Sequence, residues 1–316
     1  MGPRELGLPM RVASPDPAEL PAEVTIWEVG ARDGLQNEKE TVPLDVKLEF
    51  LRRLADAGLA VLEATSFVHP KWVPQLADAA ELIDGLDQAP GVRYPVLVPN
   101  ERGLDRALDA KVRDIAIFAA ASETFAQRNL NSGLDEQFAM FEPVVGRAVG
   151  EGIAVRGYLS MCFGDPWEGP VPVEQVVATG KRLLEMGCHQ LSLGDTIGVA
   201  TPGHVEALLR AFVAAGVGVD KIAVHFHDTY GQALANTATA LRHGVSTVDS
   251  SAGGLGGCPY AKSATGNLAT EDLIWMLDGL GIQHGVDLGK LVDTSVWMAE
   301  RLGRPSPSRV VKALSS

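Results

Sequence analysis

The sequence predicts an α/β fold, a TIM (β/α)8 barrel carrying an additional C-terminal helix. Two observations carry this expectation: a length of 316 residues and a regular alternation of strand-like and helix-like segments. An α/β barrel uses about 250 residues as one core, so the length suits a single barrel with modest additions. The alternation begins at residue 24. Eight short runs rich in β-branched residues are each followed by a helix-like stretch: VTIWEV (24–29), AVLEATSF (60–67), RYPVLVP (93–99), DIAIFAA (114–120), AVRGYLSM (154–161), HQLSLGDT (189–196), KIAVHFHD (221–228) and STVDSSAG (246–253). Eight βα units in a row favour closure into a parallel barrel over an open doubly wound sheet.

The helices follow the same logic. In PLDVKLEFLRRLADAG, Pro43 opens the helix, Leu44, Leu48, Leu51 and Leu54 form an apolar stripe at 3.6-residue spacing, and Gly58 closes it. VEQVVATGKRLLEMG and PGHVEALLRAFVAAG repeat the pattern. Beyond the eighth unit, the stretch from Val286 through Met298 to Leu302 predicts the extra helix, and Arg304-Pro305-Ser306-Pro307 predicts an irregular end. Residues 1–22 are expected to be an irregular N-terminal segment and residues 23–316 one barrel catalytic domain with its C-terminal extension.

Composition narrows the partners. With 46% apolar residues, 21% charged and three cysteines, the chain reads as a globular enzyme with reduced thiols at Cys162, Cys188 and Cys258. The richest apolar segment, IAIFAAAS, is interrupted by Arg113-Asp114 before it and Glu123 after it, short of the roughly 18 residues a membrane span requires. The first 20 residues show neither an export nor a transit pattern, so the expected compartment is cytoplasmic. A net charge of −13 argues against a nucleic-acid partner, whose phosphates it would repel. A small anionic substrate is compatible with that charge where a cation and an arginine reverse the field locally.

In a barrel the active site forms at the carboxyl ends of the strands, and several of these ends carry ionisable groups. The first run ends in Arg32-Asp33, the second contains Glu63, the sixth ends in Gly194-Asp195-Thr196, and the seventh carries His225-Phe226-His227-Asp228. Cys258 and Asn267 follow the eighth. His225 and His227 are two apart on a strand, so both point to one face and Phe226 to the other. On the inner face two imidazoles can share a cation, with Asp33 and Asn267 available from neighbouring strand ends; the alternative is a pair of hydrogen-bonded core histidines. Nitrogen donors with oxygen ligands suit Mg²⁺, Mn²⁺, Co²⁺ or Zn²⁺. Asp228 faces away from the histidines and is expected to support the site from behind or cap the next helix. His69, His189, His204, His243 and His284 lack such company and read as surface or packing residues. Cys188 reads as a buried small hydrophobe, and Cys162, at a strand end, as a packing residue or a substrate contact.

The segment GGLGGCPYAKS (253–263) nearly spells a phosphate-cradling loop, but Ala261 stands where the second glycine is needed and Pro259 removes a backbone donor. It reads better as a glycine-hinged arm that brings Cys258 to a substrate, with Lys262 either solvated or facing a phosphate. A flexible loop with an incidental cysteine is the alternative.

Together, VGARDGLQNEK, EATSFVHPKWVPQ, SLGDTIGVATPG, HFHDTYGQALAN and GLGGCPYAKSATGNLATEDL closely resemble the 3-hydroxy-3-methylglutaryl-CoA lyase family of metal-dependent barrel lyases and synthases. The resemblance spans about residues 23 to 302 and implies a (β/α)8 barrel, a divalent cation (Mg²⁺ or Mn²⁺), an acyl-CoA substrate cleaved to acetyl-CoA and acetoacetate, and a homodimer. It also implies that Asp33, His225, His227 and Asn267 hold the metal and that Arg32, Glu63, Asp195 and Cys258 are catalytic. In that scheme Arg32 meets the thioester oxygen, Asp195, with or without Glu63, moves the hydroxyl proton, and Cys258 protonates the departing acetyl carbanion. The chain departs from the family pattern at Ala31, at His69, and around Cys162 at Phe163 and Asp165. These departures keep two alternatives in view: a lyase for a longer branched 3-hydroxyglutaryl-CoA, and a synthase joining acetyl-CoA to a 2-oxo acid on the same barrel.

Overall fold

A computed structural model describes residues 7–12, 20–257 and 266–315. The strand segments are β1 (Thr25–Glu28), β2 (Val61–Leu62), β3 (Thr65–Ser66), β4 (Val96–Leu97), β5 (Asp114–Ala120), β6 (Ala154–Ser160), β7 (Gln190–Asp195), β8 (Ile222–Phe226) and β9 (Thr247–Ser250). All pair in parallel, in the order β2-β1-β9-β8-β7-β6-β5-β4-β3. The two ends of that ladder are consecutive pieces of one stretch. On one side the Glu63 amide donates to the Glu28 carbonyl (2.8 Å), and on the other the Ala64 amide donates to the Pro95 carbonyl (2.9 Å). The sheet therefore closes on itself, and the eight expected strands are present with the second written as two.

Strand ends depart from the sequence expectation for identifiable reasons. The third run, expected over residues 93–99, shrinks to Val96–Leu97 because Pro95 and Pro99, lacking N–H groups, bracket it. The eighth run stops at Ser250, and Ala252–Gly254 turns instead as a 3-10 segment with Gly253 at φ +66°, a conformation that suits glycine. After the last long helix, Leu288–Leu302, the chain forms a further short helix, Arg309–Leu314, rather than the irregular end expected. Ser308 makes that helix possible: its hydroxyl accepts from the Val311 amide (3.1 Å) and donates to Asp272 (2.7 Å).

The helix Leu44–Asp56 buries Leu51 and Leu54 of its predicted stripe together with Phe50, while Leu44 and Leu48 of that stripe are only partly buried. The same face also buries Lys47, whose ammonium donates to Asp78 (2.8 Å), because a lysine stem can pack while its head finds a carboxylate. The helices Val173–Met186, Pro202–Ala214 and Ala233–Arg242 bury their apolar faces in the same shell. No helix of the described residues is long and apolar enough to cross a membrane.

Inside the barrel the filling is polar. Register puts Trp27, Asp249, His225 and Gly194 at one level. Arg156, wholly buried, donates to both oxygens of Asp249 (2.6 and 3.0 Å) and lies over the rings of Trp27 (4.1 Å) and Tyr158 (5.0 Å). An ion pair and aromatic rings occupy space that aliphatic layers usually fill, and they sit beneath the carboxyl ends of the strands.

Candidate metal centre and active site

The first strand ends in a wide turn. The Val29 carbonyl accepts from the amides of Arg32 (3.2 Å), Asp33 (2.8 Å) and Gly34 (3.0 Å), and residues Gly30–Gly34 form a π-helical turn. Such turns add a residue to the helical cycle and re-aim side chains, which is why they recur at functional sites. Here the turn presents Arg32 and Asp33 side by side, with Arg32 Nη1 donating to Asp33 Oδ1 (2.6 Å).

Opposite the turn, β8 delivers the histidine pair. Donor atoms of Asp33, His225 and His227 all lie within 4.8 Å of one another. The two Nε2 atoms are 3.3 Å apart, as expected of imidazoles converging on one point. Phe226, between them, is buried on the other face against Phe163. Asn267 joins the cluster through a bridge to His227, its Nδ2 donating to Asp33 Oδ2 (2.9 Å) and to the Leu255 carbonyl (3.0 Å). Its Oδ1 is buried without a hydrogen-bond partner among the described residues, as is His227 Nδ1. A carboxylate, two imidazoles and an unpartnered amide oxygen form a donor set that fits a divalent cation.

Electrostatics favour ligand forms at Asp33 and His227. Burial alone would raise the Asp33 carboxyl, but Arg32, His225 and His227 outweigh it and hold the group at about 2. Burial, reinforced by His225, lowers His227 to about 4 and keeps it a neutral donor. His225 is shifted upward despite burial, because Asp249 bonds its Nδ1 (3.2 Å) and favours the charged ring. That carboxylate also fixes the ring so that Nε2 faces the cluster.

Glu63 is completely buried. It receives Arg32 Nε in a close ion pair, Trp27 Nε1 at 2.8 Å and the Tyr158 hydroxyl. Arg32 is thereby locked in place, its guanidinium pushed above its ordinary value by Glu63 and Asp33 against the cost of burial. Asp195 ends β7 at the same end of the barrel, but in register with Phe226 rather than His225; it is 1% exposed, is not among the residues lining the cavity, and its oxygens accept from the amides of Val199 and Ala200 (both 2.9 Å). Burial raises its carboxyl to about 6, against those backbone bonds.

The remaining sequence expectations sort cleanly. Asp228 accepts from the amide of Ala233, the first residue of the following helix (2.9 Å), although Gln232 and not Asp228 holds the N-cap position. Cys162 donates to the Leu159 carbonyl (3.0 Å) within the core, and burial pushes the Cys188 thiol up to about 12. His189 bonds the Val155 carbonyl, His204 caps the helix that begins at Pro202, and His284 pairs with Asp278. His69 lines the site cavity. Cys258 and Lys262 lie outside the described residues.

Sequence reasoning missed Trp27, Arg156, Tyr158 and Asp249. Period-two alternation would have put Arg156 and Tyr158 on one face of AVRGYLSM, but pairing Arg156 with Asp249 requires the register across the barrel. A cavity of about 1050 Å³ opens above this network. Arg32, Asp33, His225 and His227 line it, along with the exposed Lys39 and Arg128. Three cations thus face the cavity of a chain whose net charge is −13.

Comparison with known proteins gives a consistent picture. The family model described as HMGL-like matches residues 23–297. Over 294 residues the chain is 53% identical to the mitochondrial hydroxymethylglutaryl-CoA lyase of Bos taurus, covering 93% of this chain and 90% of that protein. It is 51% identical, over 93% of this chain and 85% of the other, to the cytoplasmic 3-hydroxy-3-methylglutaryl-CoA lyase of Rattus norvegicus. The crystal structure of hydroxymethylglutaryl-CoA lyase from Pseudomonas aeruginosa superposes with a TM-score of 0.91 at 47% identity, covering 94% of this chain and 99% of that one.

Proposed function

The chain belongs to the HMGL-like family, and from that premise we propose that it cleaves 3-hydroxy-3-methylglutaryl-CoA to acetyl-CoA and acetoacetate with a divalent cation, Mg²⁺ or Mn²⁺. One observation carries the reading: donor atoms of Asp33, His225 and His227 lie within 4.8 Å of one another beside Arg32, with Asn267 bonded to Asp33, at a cavity also lined by Lys39 and Arg128.

Cleavage removes the proton of the C3 hydroxyl, forms the C3 carbonyl and breaks the C2–C3 bond. The electron pair moves into the enolate of the acetyl thioester, which is then protonated at C2. Asp33, His225, His227 and Asn267 would hold the cation, which supplies Lewis acidity toward the substrate's hydroxyl and carboxylate oxygens. Arg32, immobilised by Glu63 and Asp33, meets the thioester oxygen as negative charge develops there, with no reorganisation needed at the moment of reaction. Glu63 is the orienting carboxylate in this scheme, since Arg32, Trp27 and Tyr158 occupy it. Transfer of the hydroxyl proton is assigned to Asp195, whose carboxyl burial raises to about 6, on the family resemblance rather than on a place in the cavity wall. Cys258 follows the cavity-lining Gly257 in the chain and is assigned protonation of C2.

The test is incubation with 3-hydroxy-3-methylglutaryl-CoA, with and without EDTA, assaying acetyl-CoA and acetoacetate. Absence of metal-dependent product, or condensation of acetyl-CoA with a 2-oxo acid instead, overturns the reading. Arg32→Gln is expected to lower kcat by about 10²- to 10³-fold, and Cys258→Ser to lose most turnover while still binding metal.

A further inference from the structure

Behind the site lies a buried carboxyl that the proposed reaction does not use. Glu28, the last residue of β1, is 1% exposed and contacts no cation among the described residues. Its Oε1 accepts two backbone amides at once, Gly30 (2.8 Å) and Ala252 (2.8 Å). Its Oε2 receives the Thr270 hydroxyl at 2.6 Å, and that hydroxyl is 2.8 Å from the Ser250 hydroxyl. The carboxyl lies so close over the chain that a Cβ on Gly30 would stand 2.6 Å from Oε1.

Each of these contacts leads to a different piece of the site. Gly30 opens the π-helical turn that carries Asp33. Ala252 opens the 3-10 turn that leads to Leu255, whose carbonyl holds the Asn267 amide. Thr270 begins the helix that follows Asn267 and is tied by its own amide to the Ser251 carbonyl (3.1 Å). We propose that Glu28 is a positioning residue that sets Asp33 against Asn267, the two oxygen donors of the cation site, as Asp249 sets His225 among the nitrogen donors. This rests on the assignment of the cation to those residues.

The geometry makes reach the decisive property. One oxygen must bridge two amides from different chain segments while the other meets Thr270. Burial raises the carboxyl to about 7, so a neutral side chain of the same length serves as well. Gln keeps the bridging oxygen and offers an amide to Thr270, whose hydroxyl can turn to accept. Asp is one methylene shorter and cannot make all three contacts.

The test compares Glu28→Gln and Glu28→Asp by Mn²⁺ titration calorimetry, thermal unfolding, kcat, and hydrogen exchange of the metal-free protein. Glu28→Asp is expected to weaken Mn²⁺ binding about 10-fold or more, while Glu28→Gln stays within about 2-fold of the parent chain. In the absence of metal, Glu28→Asp should speed exchange in both 30–34 and 252–257, and Glu28→Gln in neither. If Glu28→Asp fails to fold, Thr270→Val, which removes one of the three contacts, is expected to weaken Mn²⁺ binding by a smaller factor, and Thr270→Ser to restore it. Parental affinity and exchange in Glu28→Asp would overturn the proposal, as would a loss in Glu28→Gln equal to that in Glu28→Asp, or a lowered melting temperature with unchanged Mn²⁺ affinity. Failure of the parent chain to bind Mn²⁺ would refute the cation assignment instead, and the metal-free exchange comparison would still decide whether Glu28 couples the two segments.

Discussion

Two sets of buried carboxylates hold this site, and they are held in opposite ways. Within the barrel, Glu63 is paired with Arg32 and Asp249 with Arg156. Behind it, Glu28 and Glu271 meet amides and hydroxyls and, among the described residues, no cation: Glu271 accepts from the Gly253 amide (3.0 and 2.9 Å) and contacts the Ser295 hydroxyl. The pKa shifts part accordingly. Burial works against the Asp249 carboxylate, yet Arg156 and His225 draw it below its ordinary value. Burial raises Glu28 to about 7 and Glu271 to about 8 with no cation to oppose it. Charge is retained where a field or an oriented imidazole is needed, and a neutral acceptor suffices where the task is to pin loops together.

The sharpest way to break that contrast is to strand one partner of the interior pair. Arg156→Met leaves Asp249 buried without its bidentate donor and should destabilise the metal-free protein by about 3–5 kcal/mol in urea unfolding. A loss below about 1 kcal/mol would mean that Ser192 and His225 are enough to hold the charge. Smaller in energy but more specific is Asp249→Asn, which removes the carboxylate that orients His225. Mn²⁺ affinity is expected to fall about 10- to 100-fold in titration calorimetry. An unchanged affinity would show that His225 is oriented by packing against Tyr158, whose ring meets it edge-on at 6.1 Å.

Much of this was legible in the sequence because strands are read by alternation. His225 and His227 at spacing two, Asp33 at a strand end and Asp228 turned toward the next helix followed from period and position. Eight βα units favoured the barrel's closure but did not give the strand lengths, since Pro95 and Pro99 bracket the third strand. What stayed hidden depends on long-range register. Arg156 and Asp249 are 93 positions apart, and Glu28 and Ala252 are 224 apart, so neither partnership has a local signature. Glu28 ends a run that reads as ordinary strand. Only its side chain folding back over Gly30 gives it a role.

The neutral carboxyls offer the gentlest probe of the comparison, through the pH dependence of stability. In the unfolded chain Glu271 releases its proton near 4.5, whereas in the folded protein burial keeps it protonated to about 8. Between those values the folded state holds a proton that the unfolded state has lost, so the free energy of unfolding declines as pH rises through the window. The contribution of Glu271 is complete below about 4.5 and is lost as pH passes its folded value. Glu271→Gln keeps an oxygen for the Gly253 amide and a polar contact for Ser295 but has nothing to titrate. Its stability at pH 5 is expected to lie within about 1 kcal/mol of the parent chain. From pH 5 to 8, in EDTA, its decline should be shallower, read from urea midpoints at several pH values. Parallel curves for the two proteins would mean that Glu271 is ionised in the folded state, and the distinction between paired and unpaired carboxylates would then fail at that residue.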